Sequence, residues 1–246
     1  MPLSSVVSFD GLTLSAILGR HAPSERVAAL DPETALPYHP GLSFLPETAD
    51  RMMQIPLFPL HLPLMPGGPL PLRIFEPRYL SMIGDCLRSN SPFGVALITK
   101  GGETGKAAKC HSIGTLARIT DWDQGEDGLL HIEAVGEQRF RVLDTQVSDD
   151  QLVLAEIQIL PDAPTELPTR YREQAEWLLE ALPRLEAYKG LEMAPDDANW
   201  VAYRLAELLL RPGQRQALLE QDDPLRRLEQ VARQIRLQQR DMTDDA

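Results

Sequence analysis

Seven prolines lie between positions 56 and 77, and they restrict this stretch more than any other feature of the sequence. Proline has a fixed φ and no backbone N–H, so it cannot donate to a sheet ladder and it breaks the interior of a helix. The stretch is therefore predicted to form strand ends, sheet edges and turns. The glycine pair at 67–68 is expected to supply a sharp reversal between two of these strands. The prolines are Pro56, Pro59, Pro63, Pro66, Pro69, Pro71 and Pro77.

Short apolar runs between positions 54 and 160 alternate with turns rich in glycine and acidic residues, which predicts β structure. In the last run, Val153, Ala155 and Ile157 share one face of a strand. Hairpin turns are predicted at 124–128 and 148–150, where glycine or aspartate tolerates left-handed backbone angles. Strands at this spacing favour a closed or nearly closed barrel over a parallel α/β sheet. The predicted strands span 54–60, 70–75, 93–99, 114–122, 129–135, 138–147 and 152–160.

Helical spacing appears first after Pro77, which suits the first position of a helix because its missing N–H would be unbonded there. Tyr79, Leu80, Ile83 and Leu87 then recur at intervals of three and four residues, which predicts an apolar face.

From Pro168 onward the period is helical to the end of the chain. The predicted elements are a helix over 171–185 that Pro183 kinks and Gly190 stops, a helix from a cap at Asp196 to Leu210 closed by Pro212 and Gly213, a short helix over 214–220, and a last helix that starts at Asp223.

Charge and cysteine content exclude several classes of protein. The net charge is -12, so general attraction to nucleic acid or to anionic lipid is not expected. Two cysteines are too few for a disulfide framework, and they fit buried thiols in a reducing cytoplasm. The sequence shows neither an apolar run long enough to span a membrane nor a secretory signal, so a cytoplasmic location is expected.

Four segments are predicted along the chain. Residues 1–52 lack a sustained period and are expected to be a poorly ordered extension, or an artefact of start-site choice, since methionines stand at 52 and 53. A β subdomain is predicted over 53–162 and a helical subdomain over 163–240. The tail over 241–246 is expected to fray.

A glycine- and lysine-containing run at 101–107 resembles a phosphate-binding loop, but its spacing is wrong. Lys100 stands where the first glycine is required, and Ala107 cannot supply the hydroxyl that would bind magnesium. We therefore expect a mobile surface loop, made locally basic by Lys106 and Lys109.

Cys110 and His111, with Cys86 and His131 elsewhere, are the candidates for a reactive thiol or a metal site. No spacing typical of metal ligands supports them, and no concentrated catalytic constellation is present. We expect no catalytic residue, no metal and no cofactor.

The proline-rich segments IPLFPL at 55–60 and MPGGPLPLRIFEPRY at 65–79 resemble the opening of the LON substrate-binding domain. The segments 113–115, 128–142 and 198–235 are similar to a strand start, the central hairpin and the helical portion of that family. The resemblance covers about residues 53 to 237. The domain is the N-terminal domain of ATP-dependent Lon proteases, and it also occurs in stand-alone bacterial proteins and in the cereblon family.

This resemblance implies an α+β fold, a PUA-like β pseudo-barrel followed by a C-terminal helical bundle. A Lon protease continues into an ATPase module and a serine–lysine peptidase domain. Because this chain ends at 246, we expect it neither to hydrolyse ATP nor to cleave peptides, despite its similarity to the peptidase S16 family.

The resemblance also implies a non-catalytic module that recognises unfolded or partner proteins and peptides, together with a protease in trans or alone. Pro66, Phe75, Arg78 and Tyr79 are the predicted substrate-binding residues, because the motif joins a strand to the first helix there. For Arg78 and Glu76 we favour a structural role, helix capping and a salt bridge, over ligand contact.

Three alternatives to this function stay open. They are a small-molecule-binding regulator, an enzyme with Cys110 or His111 as its reactive group, and an RNA-binding PUA-like domain. The last requires Lys100, Lys106, Lys109 and nearby arginines to converge on one face.

Overall fold

A computed structural model describes residues 53–125 and 127–244, with side chains as far as Leu237. The predicted extension over 1–52 and its start-site interpretation lie outside the described residues, and the predicted segment boundaries stay predictions. None of the helices in the described part of the chain is both long enough and apolar enough to cross a bilayer.

Five strands close into a hydrogen-bonded ring in the order β1, β7, β6, β5, β3, because β1 pairs with β7 on one side and with β3 on the other. The β1–β3 pair is parallel and the other four pairs are antiparallel. Two short strands extend the ring, β2 on β6 and β4 on β3. The strands are β1 (Met53–Leu60), β2 (Pro69–Ile74), β3 (Phe93–Lys100), β4 (Lys109–Cys110), β5 (Ile113–Gln124), β6 (Leu130–Val147) and β7 (Val153–Leu160).

The prolines of β1 show how this segment closes the ring. Pro56 lies in the half of β1 that pairs only with β7, and Pro59 lies in the half that pairs only with β3. The strand changes partners at Leu57, which pairs with both. Each proline is therefore paired with a strand on one side only. Its missing N–H costs no hydrogen bond on the unpaired side, which agrees with the predicted edge position.

β6 is one strand where the sequence predicts two, at 129–135 and 138–147. The glycine that suggests the break, Gly136, instead allows close contact with the segment before β2. Its N–H donates to the Gly68 carbonyl at 2.9 Å, and its carbonyl accepts from the Gly67 N–H at 2.7 Å. A Cβ at Gly136 would lie 2.3 Å from the Met65 carbonyl oxygen, so only glycine fits.

Five α-helices complete the described chain, and several of their ends differ from the predictions. The predicted helix over 171–185 ends at Ala181, and Pro183 lies in a following 3-10 turn because its ring excludes further α-helix. Gly190 therefore does not stop that helix. The helices are α1 (Pro77–Ser89), α2 (Arg172–Ala181), α3 (Ala198–Leu209), α4 (Pro212–Leu219) and α5 (Pro224–Asp244).

Two helix starts also need correction. Asp197, and not Asp196, caps α3: its carboxylate accepts from the Asn199 N–H at 3.0 Å. Pro212 does not close α3 but begins α4, since proline is well suited to the first helical position. The start of α5 is as predicted, with the Asp223 carboxylate accepting from the Leu225 N–H at 2.9 Å.

The buried apolar side chains form three clusters: one among β1, β5, β6 and β7, one between α1 and the strands β1, β2, β3, β5 and β6, and one among the C-terminal helices. The helical cluster includes Met65 and Ile113, which belong to the β part of the chain. The strands and the C-terminal helices therefore share a continuous apolar contact.

Candidate substrate-binding surface

Arg78, in the first turn of α1, is a buried anchor. Its side chain is 5% exposed and lies 3.0 Å from the Glu76 carboxylate. Its Nη1 donates to the Gln151 carbonyl at 2.8 Å. The predicted salt bridge is present, whereas Glu76 makes no side-chain cap on the helix. Arg78 thus ties the helix start to the turn between β6 and β7.

Tyr79 is equally buried. Its ring stacks on Phe58 with centroids 4.2 Å apart, and the Arg78 guanidinium lies 4.5 Å from its centroid. Burial is the main cause that raises the pKa of Tyr79 to about 12. Of the four predicted binding residues, Arg78 and Tyr79 are therefore inward-facing, whereas Phe75, beside the helix start, is 41% exposed.

Helix α1 presents an apolar stripe to solvent, which we define as Phe75, Leu80 and Leu87. Phe75 precedes the N-cap residue Glu76, and Leu80 is the fourth residue of the helix. Side chains at these two positions commonly pack together. Leu80 and Leu87 are seven residues apart and share a helix face. The predicted apolar set of α1 divides in the structure: Leu80 and Leu87 are exposed, while Tyr79 and Ile83 are buried.

Trp122 of β5 is a further exposed aromatic side chain. It pairs with Ile132 across β5 and β6, and directly opposed residues in antiparallel strands point to the same face. Ile132 is buried in the cluster that contains Tyr79 and Met82 of α1. Trp122 therefore faces the side of the hairpin that covers α1, yet it is 56% exposed. Together, Trp122 and the α1 stripe form the α1 surface.

Pro66, the fourth predicted residue, is half-buried and lies at the contact between strands and helices. Arg204 of α3 donates from Nη2 to the Pro66 carbonyl at 2.7 Å and from Nη1 to the Gly67 carbonyl. Its Nε lies 3.0 Å from Glu207 of the same helix. A Cβ at Gly68 would lie 1.9 Å from Glu207 Oε1, so the second glycine of the pair is needed for this contact.

Glu207 is largely buried, with 9% of its side chain exposed, and burial is the main cause that raises its pKa above the ordinary value, opposed by Arg204. Its Oε2 accepts from the Tyr188 hydroxyl at 2.9 Å. Burial also raises the pKa of Tyr188, and the neighbouring Glu207 charge adds to this. This cluster fixes the Pro66–Gly68 segment against α3.

A second buried ionic cluster joins the end of β7 to α5. Asp162 Oδ1 lies 2.9 Å from Arg139 of β6 and 3.0 Å from Arg227 of α5, and its Oδ2 accepts from the Tyr203 hydroxyl. Both arginines are almost wholly buried. Arg227 also donates to the Asn199 side chain at 2.6 Å. Strand and helix parts are thus joined at two separate points.

Sequence reasoning missed both ionic clusters. One signal was available: Arg204 stands three residues after Val201 and one before Leu205, within the inward-facing pattern of α3. A charged residue at such a position is buried only when it is paired.

The candidate reactive residues show no catalytic arrangement. Burial raises the pKa of the Cys110 thiol to about 11, which lowers its reactivity. His111 Nδ1 lies 3.1 Å from Glu220 of α4, a further link to the helices. Across 53–125 and 127–244, no group of three or more His, Cys, Asp or Glu side chains is arranged to hold a metal ion.

The glycine- and lysine-containing run at 101–107, predicted as a mobile loop, is held in place. Glu103 Oε1 accepts from the His61 N–H at 2.9 Å, and the Glu103 carbonyl accepts from Arg78 at 3.4 Å. Lys100 and Lys109 are partners across β3 and β4, but the arginine that reaches the loop is the buried Arg78. The RNA-binding alternative requires Lys100, Lys106, Lys109 and nearby arginines to converge on one face, and the pairing of Lys100 with Lys109 meets part of that requirement.

Comparisons with solved structures agree with the resemblance seen in the sequence. The chain is 42% identical to a Lon N-terminal domain protein from Xanthomonas campestris, with a TM-score of 0.62, covering 73% of this chain and 97% of that one. The N-terminal domain of Mycobacterium avium complex Lon protease shares the fold at 20% identity and a TM-score of 0.53, covering 73% of this chain and 96% of that one.

Curated relatives include protein cereblon from Danio rerio, 33% identical over 143 residues, and from Xenopus tropicalis, 32% identical over 117 residues. These matches cover 56% and 46% of this chain but only 31% and 25% of the two cereblon proteins. The sequence model of the ATP-dependent protease La (LON) substrate-binding domain matches residues 54–236. The chain therefore belongs to the LON substrate-binding domain family.

Proposed function

We propose that this protein is a non-catalytic recognition module that binds partly apolar segments of unfolded or partner proteins on its α1 surface. The single observation that carries the proposal is the exposure of Phe75, Leu80 and Leu87 along α1, and of Trp122 on the sheet face that shares a buried cluster with α1. Large apolar side chains gathered on a water-exposed surface commonly mark an interaction site. Membership of a substrate-binding family supports the same conclusion.

The aromatic side chains of the surface suggest that the client segments are apolar. Phe75 and Trp122 supply the aromatic contact area that dominates many interfaces.

The proposal also includes the fold class of the protein, its location and the roles of Pro66 and Arg78. We assign the closed ring to a PUA-like pseudo-barrel over 53–162, followed by a helical subdomain over 163–240. We place the protein in the cytoplasm, where it presents clients to a protease in trans or acts alone. Pro66 and Arg78 are assigned to the scaffold that positions the surface, since the contacts of both are internal.

The proposal is tested by measuring the binding of a fluorescently labelled unfolded polypeptide, reduced and carboxymethylated α-lactalbumin, to the full chain. Phe75→Ala with Leu80→Ala is expected to weaken binding by about fivefold or more, because exposed anchors are removed while the buried face of α1 is kept. Tyr79 is left intact because its removal would open the core.

The matched control is Leu179→Ala with Leu225→Ala, two leucines of similar exposure on α2 and α5. This variant is expected to bind within about twofold of the natural chain, as near-neutral positions do. Unchanged binding by the Phe75/Leu80 variant, with its thermal unfolding intact, would refute the placement of the site. Equal losses in both variants would show that the polypeptide binds exposed apolar side chains non-specifically and not at the α1 surface.

A further inference from the structure

A cavity of about 530 Å³ is lined by residues 170–174, at the start of α2, and by residues of α5, with no lining residue from α1. Its volume is within the range of small-molecule sites. Three arginines contribute to its walls, in a chain whose net charge is -12. We call it the arginine pocket. Its lining residues are Arg170, Tyr171, Gln174, Glu229, Arg233 and Arg236.

Charge within the arginine pocket is unbalanced. Its one carboxylate, Glu229, is engaged by Arg170 at 2.7 Å. Arg233 and Arg236 follow Glu229 by four and seven residues and therefore share its helix face. No described carboxylate lies within 4.0 Å of the guanidinium nitrogens of Arg233 or Arg236. Two guanidinium groups thus line the pocket without an ion-pair partner among the side chains described as far as Leu237.

The first turn of α2 supplies the rest of the wall. Tyr171 is buried, and the Arg170 guanidinium lies 5.1 Å from its ring centroid, which limits the movement of that arginine. Gln174 carries a buried terminal oxygen with no hydrogen-bond partner. Rotation of this amide group by 180° would place its NH2 donor at the same position. An anionic ligand requires a donor there.

We propose that the arginine pocket binds a small polyvalent oxyanion, a molecule bearing phosphate or carboxylate groups, independently of client binding. Guanidinium groups match the geometry of both kinds of oxyanion through paired N–H donors. Arg233 and Arg236 hold the anion, Gln174 donates from the α2 side, and Arg170 is fixed by Glu229 as the rim. The acidic remainder of the chain disfavours the same anion elsewhere.

The test is calorimetric titration of the full chain at constant ionic strength, with tripolyphosphate in one arm and citrate in the other. Binding of either anion is expected, and the arm that binds identifies phosphate or carboxylate as the recognised group. Arg233→Gln with Arg236→Gln is expected to weaken that binding by about tenfold or more, since charge-assisted hydrogen bonds are lost.

The matched control is Arg141→Gln with Arg184→Gln, which removes the same charge from exposed positions outside the pocket and outside α5. It is expected to bind within about twofold of the natural chain, because distant surface charges are screened by salt. The proposal is overturned if neither anion binds at millimolar concentration, or if the control variant loses as much affinity as the pocket variant. Either outcome leaves client binding at the α1 surface as a separate question.

Discussion

Arg204, in the middle of α3, donates to the carbonyl oxygen of Pro66 at 2.7 Å, across 138 residues of sequence. The contact explains why the proline-rich segment and the helical portion occur together in one domain. Pro66 leaves its carbonyl without a strand partner, and a buried guanidinium satisfies it. The position of α3 is therefore set by the strand connection, and not only by apolar packing.

Arg204→Ala is expected to lower the free energy of unfolding by about 3–5 kcal/mol, because it leaves Glu207 buried without a counter-charge. Urea denaturation measures this loss. Combining it with Glu207→Ala in a double-mutant cycle should give a total loss well below the sum of the single losses. Additive losses would show that the two side chains do not stabilise each other.

Gly68→Ala is expected to destabilise the protein by about 1–3 kcal/mol, since the new methyl group would collide with Glu207 and with the Met65 carbonyl. Gly213→Ala is the control, because a Cβ there meets nothing within 4 Å and the residue lies in helix α4. It should be neutral or stabilising by up to about 1 kcal/mol. Thermal and urea unfolding of both variants decide the matter, and equal effects would contradict the close contact.

The pH dependence of stability should report Glu207. Its folded pKa is raised, so the native state binds the proton more tightly than the unfolded state does. The resulting stabilisation is complete below the unfolded pKa and is lost as the pH rises through the folded pKa. The free energy of unfolding of the natural chain, minus that of Glu207→Gln, should therefore decrease from pH 4 towards neutrality.

Carboxyl groups with lowered pKa values act in the opposite direction but cancel in this difference. The Leu129 N–H lowers the pKa of Asp127, and the Ser148 hydroxyl lowers that of Asp150. Both groups are present in the natural chain and in Glu207→Gln, so they change the two stability curves equally. A difference that is flat, or that rises with pH, would show that the folded pKa of Glu207 is not raised.

Cys110 is expected to react with iodoacetamide at least about tenfold more slowly at pH 7.5 than a cysteine in an unstructured peptide, because burial suppresses its thiolate. Cys110→Ser and Cys86→Ser, labelled separately and analysed by mass spectrometry, assign the rate to each thiol. Fast labelling of Cys110 in the folded chain would support the alternative that the protein is an enzyme with Cys110 as its reactive group.

The sequence predicts most of the strands because alternation and turn residues are local properties. The hairpin turns at 124–128 and 148–150 each agree with the observed connections, in which Gly125 accepts from the Gly128 N–H and Ser148 from the Gln151 N–H. The predicted break at Gly136 fails because the reason for that glycine is a neighbour distant in sequence, the Met65 carbonyl. Local pattern carries no information about such an approach.

The candidate site is harder to predict from the sequence than the strands are. The helix start at Pro77 locates the region, and Phe75 is exposed as a binding residue should be, but Arg78 and Tyr79 face inward. The apolar spacing of α1 contains two faces, and only the packed structure shows that Leu80 and Leu87 lie outside. Burial of Arg139, Arg204 and Arg227 depends on partners in other elements, which composition cannot reveal.

The change of partner at Leu57 has a consequence for how the chain is made. The first strand meets β3 early, but its other neighbour, β7, ends at Leu160, about a hundred residues later. During synthesis, one edge of β1 therefore stays unpaired while six further strands emerge, and an unpaired edge of this kind can pair with another chain. The ring can close only after the last of its strands has been made.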